Sequence, residues 1–120
     1  MDLHNQFGKE AEDVAVKFFI DHGYEILSRN WRHPPYEIDI IATKNEMLHI
    51  IEVKARRTAV HGYPEESVSK KKIRGIMIAA DEFLFQNQQY RQVQFDILSI
   101  ILPENKEAEF FLIEDVYYYG

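Results

Sequence analysis

The run YEIDIIATKNEMLHIIEVKARR, residues 36–57, decides how this chain folds. Two apolar stretches, Tyr36 to Ala42 and Met47 to Arg56, flank the polar turn Thr43-Lys44-Asn45-Glu46, the pattern of a β-hairpin. With Lys44-Asn45 as the turn centre, Ala42 faces Met47, Asp39 faces Ile50 and Glu37 faces Glu52. Side chains alternate along a strand, so Glu37, Asp39, Glu52 and Lys54 share one face, with Asp39 and Glu52 diagonal neighbours. Opposed carboxylates destabilise a hairpin unless something positive lies between them. Lys54 is one candidate and a divalent cation another. Hard cations such as magnesium take oxygen ligands from one or two carboxylates, water and a substrate phosphate. A lysine beside such a site can hold or deprotonate a water, or neutralise developing charge. The plainer alternative, a Glu52–Lys54 ion pair on a half-exposed strand, stays open.

Outward from the hairpin the periodicities change. Asn5 to Gly23 reads as a helix, with Phe7, Ala11, Val14, Ala15 and Phe18 at helical spacing and Gly23 as a stop. Tyr24 to Trp31 reads as a strand, broken by His33-Pro34-Pro35. Thr58 to Tyr63 is a polar loop. A second helix follows to about Gln88, beginning either at Pro64-Glu65-Glu66 or after Ser69, a good N-cap. Gln92 to Leu102 alternates as a fourth strand, Pro103 to Lys106 turns the chain, and Glu109 to Tyr118 is a last strand. The order α-β-β-β-α-β-β predicts an α/β fold, a mixed β-sheet flanked by helices, in one domain over residues 1–120.

Both helices carry residues that bear on the carboxylate face. Glu10 lies beside the first helix's apolar stripe and Glu12 points away from it, so Glu10 either reaches the carboxylates or snorkels to water. On the second helix, Lys72 falls within the stripe of Val68, Ile76, Ala79 and Phe83, while Lys70 and Lys71 do not. A lysine there needs an anion or an exit. Three lysines in a first helical turn repel one another but welcome phosphate. Among the other polar residues, His49 alternates with Ile51 and Val53 and is expected to pack. No histidine has ligand spacing, no serine sits in a nucleophile elbow, and the terminal tyrosines suit an edge cover or a dimer contact better than base stacking.

The 120 residues are 46% hydrophobic and carry no cysteine, which excludes disulfides, thiolate metal sites and cysteine nucleophiles. No apolar run approaches a membrane span and the N-terminus is polar, so a soluble cytoplasmic protein is expected. The net charge of -6 argues against strong non-specific nucleic-acid binding. Yet Lys54, Arg56, Arg57, Lys70, Lys71, Lys72 and Arg74 place half of the positive charge within 21 residues. That segment is either a nucleic-acid-binding patch or a solvated helix face.

Several short pieces together carry a resemblance: Gly8-Lys9-Glu10-Ala11-Glu12, Gly23-Tyr24-Glu25-Ile26-Leu27 with Arg29-Asn30, Glu37-Ile38-Asp39-Ile40-Ile41, Ile51-Glu52-Val53-Lys54-Ala55-Arg56, Val68-Ser69 with Lys72, Ala79-Ala80, and Phe95-Asp96-Ile97. In this order the chain resembles the YraN-like family of small bacterial proteins. That family looks like a branch of the PD-(D/E)XK, or restriction-endonuclease-like, superfamily, and archaeal Holliday junction resolvases are similar in plan. The resemblance implies a restriction-endonuclease-like core. It implies Asp39 and Glu52 as Mg2+ or Mn2+ ligands with the Val53 carbonyl, Lys54 as catalytic lysine, Glu10 as a helix-borne acid near the metal, and Lys72 facing the site. It further implies a metal-dependent nuclease, a hydrolase of nucleic acid, with DNA expected before RNA and branched or damaged DNA as candidate substrates. The alternative is a nucleic-acid-binding module with little catalysis. A homodimer is suggested by analogy with the resolvases. Tyr36 stands where the family usually has glycine, Gln94 where an arginine usually precedes Phe-Asp, and Glu114 to Gly120 departs from the usual pattern.

Overall fold

The computed structural model describes residues 6–58 and 69–116. Along them run α1 (Gln6–Asp21), β1 (Glu25–His33), β2 (Tyr36–Lys44), β3 (Met47–Arg56), α2 (Lys70–Gln86), β4 (Val93–Ile101) and β5 (Glu109–Ile113). This is the expected order, and the strands form one mixed sheet, β1-β2-β3-β4-β5. All neighbours are antiparallel except β3 and β4, which are parallel and connected through α2. Parallel strands need a crossover, and a helix supplies it while covering a sheet face.

The two helices lie on opposite faces. Ala11, Ala15 and Phe19 of α1 pack on Ile40, Ala42, Ile51, Val53, Leu98 and Ile100. Ile76, Ala79, Ala80 and Phe83 of α2 pack with Ile38, Ile41, Leu48 and Ile50. Strands covered on both sides lose their polar alternation, and Ile38–Ala42 and Leu48–Val53 are accordingly buried throughout. Polar residues within those runs, Asp39, His49 and Glu52, therefore stand out as needing partners.

Local chemistry sets the element ends. Gly23, at φ +89°, stops α1: its N–H reaches Ile20 O at 3.1 Å and Tyr24 N–H reaches Phe19 O at 3.0 Å. This pair of bonds is the Schellman arrangement, which places glycine in the left-handed region. Strand β1 continues past Trp31 to His33, which pairs directly with Tyr36 across the Pro34–Pro35 turn. Ser69 is the N-cap of α2, its Oγ accepting the Lys72 N–H at 3.1 Å, which decides between the two starts open in the sequence. Pro64, Glu65 and Glu66, most of the Thr58 to Tyr63 loop, and Tyr117 and Tyr118 lie outside the described residues. No described helix is long and apolar enough to cross a membrane.

The central hairpin requires one correction. Asn45 and Glu46, not Lys44 and Asn45, form the turn, with φ of 52° and 67°, and Lys44 pairs with Met47. A two-residue hairpin of this type needs two residues at positive φ, and asparagine tolerates the first position well. The register moves by two residues. Asp39 thus comes opposite Glu52, one step beyond the Ile40–Ile51 pair, rather than opposite Ile50. Because strand side chains repeat every two residues, the shared face survives the correction.

Glu46 carries an unfavourable left-handed backbone that glycine adopts freely. Glu46→Gly is expected to raise the unfolding free energy by about 0.5–1 kcal/mol, and Glu46→Val to lower it. Urea denaturation measures both. A turn centred on Lys44-Asn45 predicts loss of stability in the glycine variant instead.

Candidate active site

Strands β2 and β3 pair from Lys44–Met47 as far as Ile40–Ile51 and then part. On their outer edges β2 stays paired with β1, and β3 with β4, through and beyond that point. In the notch so formed, Asp39 Oδ2 accepts the Val53 backbone N–H at 2.8 Å. A side chain thereby satisfies a donor that has lost its ladder partner. The N–H and C=O of one strand residue point to the same side, so the Val53 carbonyl is also turned toward Asp39. Glu52, 1% exposed, stands opposite. Its Oε1 lies 3.7 Å from Lys72 Nζ on the first turn of α2. Lys54 follows on the same strand face, half-buried. The face is that of α2, as the Lys72 contact shows.

Burial and the neighbouring Glu52 charge push the Asp39 carboxyl up to about 7, with the Val53 N–H and Lys72 pulling the other way. The notch therefore brings two carboxylates together away from water, with Asp39 holding its proton more tightly than an exposed aspartate does. That pairing suits a divalent cation. Asp39, Glu52 and the Val53 carbonyl would hold such an ion, leaving further positions for water and a phosphate oxygen. No group of three or more His, Asp or Glu side chains suited to a metal exists among the described residues.

Other expected site residues fall elsewhere. Glu10 is bonded to Arg57, Oε2 to Nη2 at 3.3 Å. Arg57 also donates to Leu102 O at 3.2 Å and lies over the Phe7 ring at 4.5 Å, on the side of α1. The structure thus brings Asp39, Glu52, Val53, Lys54 and Lys72 together but engages Glu10 and Arg57 with each other. Lys70, Lys71 and Arg74 are exposed on α2, and Arg56 is half-buried at the end of β3. Glu37 lies 3.6 Å from Arg32. Glu12, expected to point outward, is instead 8% exposed and accepts Arg29 Nε at 2.7 Å and Asn30 Nδ2 at 2.9 Å. The guanidinium of Arg29 and the amide of Asn30 on β1 outweigh its position on the helical wheel.

His49 packs, as expected, but through a charge-assisted contact: Nδ1 lies 2.6 Å from Asp96 Oδ2. Gln94 Nε2 and the Asp115 N–H occupy Asp96 Oδ1, each at 2.9 Å. Gln94 therefore supports this aspartate from the position where the resemblance led one to look for arginine. Sequence reading also missed a cavity of about 440 Å³ beside the notch, lined by Pro35, Tyr36, Glu37, Ser69, Lys71, Lys72, Gly75 and Ile76. It forms between β2 and α2, elements separated by the whole of β3.

The model of the uncharacterised protein family UPF0102 matches residues 11–100. A UPF0102 protein of Phocaeicola vulgatus is 42% identical over 101 residues, covering 84% of each chain. One from Flavobacterium psychrophilum is 38% identical over 119 residues, 99% of each. One from Persephonella marina is 45% identical over 95 residues, 78% of this chain and 82% of that protein. An α/β protein with a buried carboxylate pair where its sheet divides is the class defined by fold and site. Within that class, the chain belongs to the UPF0102, or YraN-like, family.

The raised Asp39 carboxyl has a consequence for stability. Its folded value, about 7, exceeds the ordinary 3.8, so between these pH values the folded chain retains a proton the unfolded chain has released. Its contribution is full below about pH 4 and is lost as pH rises toward 7. In EDTA at pH 8, Asp39→Asn, which keeps an acceptor for Val53, is expected to gain about 1 kcal/mol or more over wild type. At pH 4 the two should coincide. Magnesium or manganese should raise the wild-type melting temperature more at pH 8 than at pH 5.5, and should fail to do so in Asp39→Asn. Calorimetry reads both effects.

Proposed function

We propose that this protein is a metal-dependent nuclease that hydrolyses phosphodiesters of nucleic acid, DNA before RNA, with a restriction-endonuclease-like core. The reading is carried by one observation: two buried carboxylates, Asp39 and Glu52, converge where β2 and β3 part, with Lys54 on the same face. The resemblance to the PD-(D/E)XK superfamily at these same positions supports it. A bound divalent ion would supply charge neutralisation at the phosphate and a more acidic water. Asp39 and Glu52 would hold that ion, and the Val53 N–H keeps the Asp39 carboxylate aimed.

Lys54 has the placement to hold the attacking water or to balance the charge gathering on the phosphate. Lys72, 43% exposed in its side chain, leaves Glu52 to meet a non-bridging phosphate oxygen at the start of α2. The exposed Lys70, Lys71 and Arg74 extend positive charge from that point. They offset locally the overall charge of -6. Glu10, bonded to Arg57, acts at most through that pair, steadying the end of β3.

A second reading is a nucleic-acid-binding module without catalysis, favoured by Lys72 already serving as counter-ion to Glu52. Cleavage of a panel of single-stranded, duplex and four-way-junction DNA in magnesium or manganese separates the two. The nuclease reading expects metal-dependent cutting that Asp39→Ala abolishes and Lys54→Ala slows by about a hundredfold or more. Lys54→Ala should leave the metal-induced rise in melting temperature intact. Binding without cutting under every metal condition establishes the module instead.

A further inference from the structure

We infer that the cavity between Tyr36 and the start of α2 receives an unpaired nucleobase adjoining the scissile phosphate, so that single-stranded or flapped nucleic acid, not continuous duplex, is the substrate. This rests on the nuclease reading for its phosphate and goes beyond it for its base. The cavity, about 440 Å³, is of the size that small-molecule sites occupy. Its lining divides by chemistry. Pro35, Tyr36 and Ile76 offer apolar surface, Glu37 and Ser69 offer hydrogen-bonding oxygens, and Lys71 and Lys72 bring positive charge. Lys72 is shared with the carboxylate site, where it lies 3.7 Å from Glu52, so the cavity adjoins the place proposed for the phosphate.

Tyr36 is held firmly enough to act as a stacking platform. Its ring lies on the backbone of α2 at Gly75, where an added Cβ would come within 2.6 Å of Tyr36 Cδ1. Only a residue without a side chain admits the ring so closely. Tyr36 nevertheless remains only half-buried, which leaves surface on the cavity side. A planar base stacks on such a ring in any sequence context. Glu37 adds an acceptor for an exocyclic amino group of the kind that cytosine presents. A base inside a duplex is already stacked and paired, and it would have to be flipped out first. An unpaired base enters without that cost.

The test uses the full chain and a short oligonucleotide bearing one 2-aminopurine, in calcium so that binding is read without cutting. Single-stranded and flapped forms should bind at least about tenfold more tightly than the same sequence in duplex, with quenching of the 2-aminopurine on binding. Tyr36→Leu should lose about fivefold or more in that affinity together with the quenching, and Tyr36→Trp should keep both. Equal affinity for duplex, or unchanged quenching in Tyr36→Leu, overturns the inference. So does saturation of the same quenching by free 2-aminopurine riboside monophosphate at equal affinity, which identifies a mononucleotide site. The metal-induced rise in melting temperature serves as the separate control. If Asp39-dependent cleavage persists while Tyr36→Leu changes nothing, the base pocket fails and the nuclease reading stands. If Tyr36-dependent quenching persists without any metal effect or cleavage, the nuclease reading fails and the base pocket stands.

Discussion

The hydrogen bond from the Val53 backbone to Asp39 is the constraint around which the candidate site is organised. Where β2 and β3 separate, Val53 loses a ladder partner, and an unpaired buried N–H costs about as much as a lost hydrogen bond. Asp39 answers that need from the opposing strand at 2.8 Å. In doing so it is drawn out of water and against Glu52, and its proton affinity rises. A feature that repairs the backbone therefore also sets the two buried carboxylates side by side, the arrangement on which the proposed chemistry depends. The alternative of a simple Glu52–Lys54 ion pair does not account for Asp39, which is itself buried.

Most of the other acidic groups near the sheet have described partners of their own. Glu12 is committed to Arg29 and Asn30, Glu10 to Arg57, and Asp96 to His49, Gln94 and the Asp115 backbone. Lys72 meets Glu52 at 3.7 Å and keeps 43% of its side chain in solvent. Such a loose contact can be exchanged for a phosphate without leaving a well-formed hydrogen bond behind. The same lysine lines the Tyr36 cavity, which ties that recess and the acidic notch to one another through a single side chain.

How much of this was legible depends on the range of each interaction. The hairpin and its polar face could be read because alternation is local and its period is two. Even a turn placed one residue too early left Asp39, Glu52 and Lys54 together. Ser69 was visible as a cap for a similar reason, since it bonds only three residues ahead. The partner of Glu10 was not visible, because Arg57 lies 47 positions away and reaches it from beyond the end of β3. Nor was the role of Tyr36. Its ring needs a glycine on a helix two elements later, and no periodicity links the two.

By itself, then, the sequence determined the order of elements, the mixed character of the sheet and the face on which the carboxylates and Lys54 stand. Those follow from hydrophobic period, turn residues and connection length, which act along the chain. Only the tertiary structure decided that β2 and β3 part after Ile40–Ile51, that α2 rather than α1 covers the acidic face, and that a cavity opens beside it. Those outcomes depend on which surfaces meet. Strand alternation tells which side a residue occupies, but the packing of distant elements alone sets what it finds there.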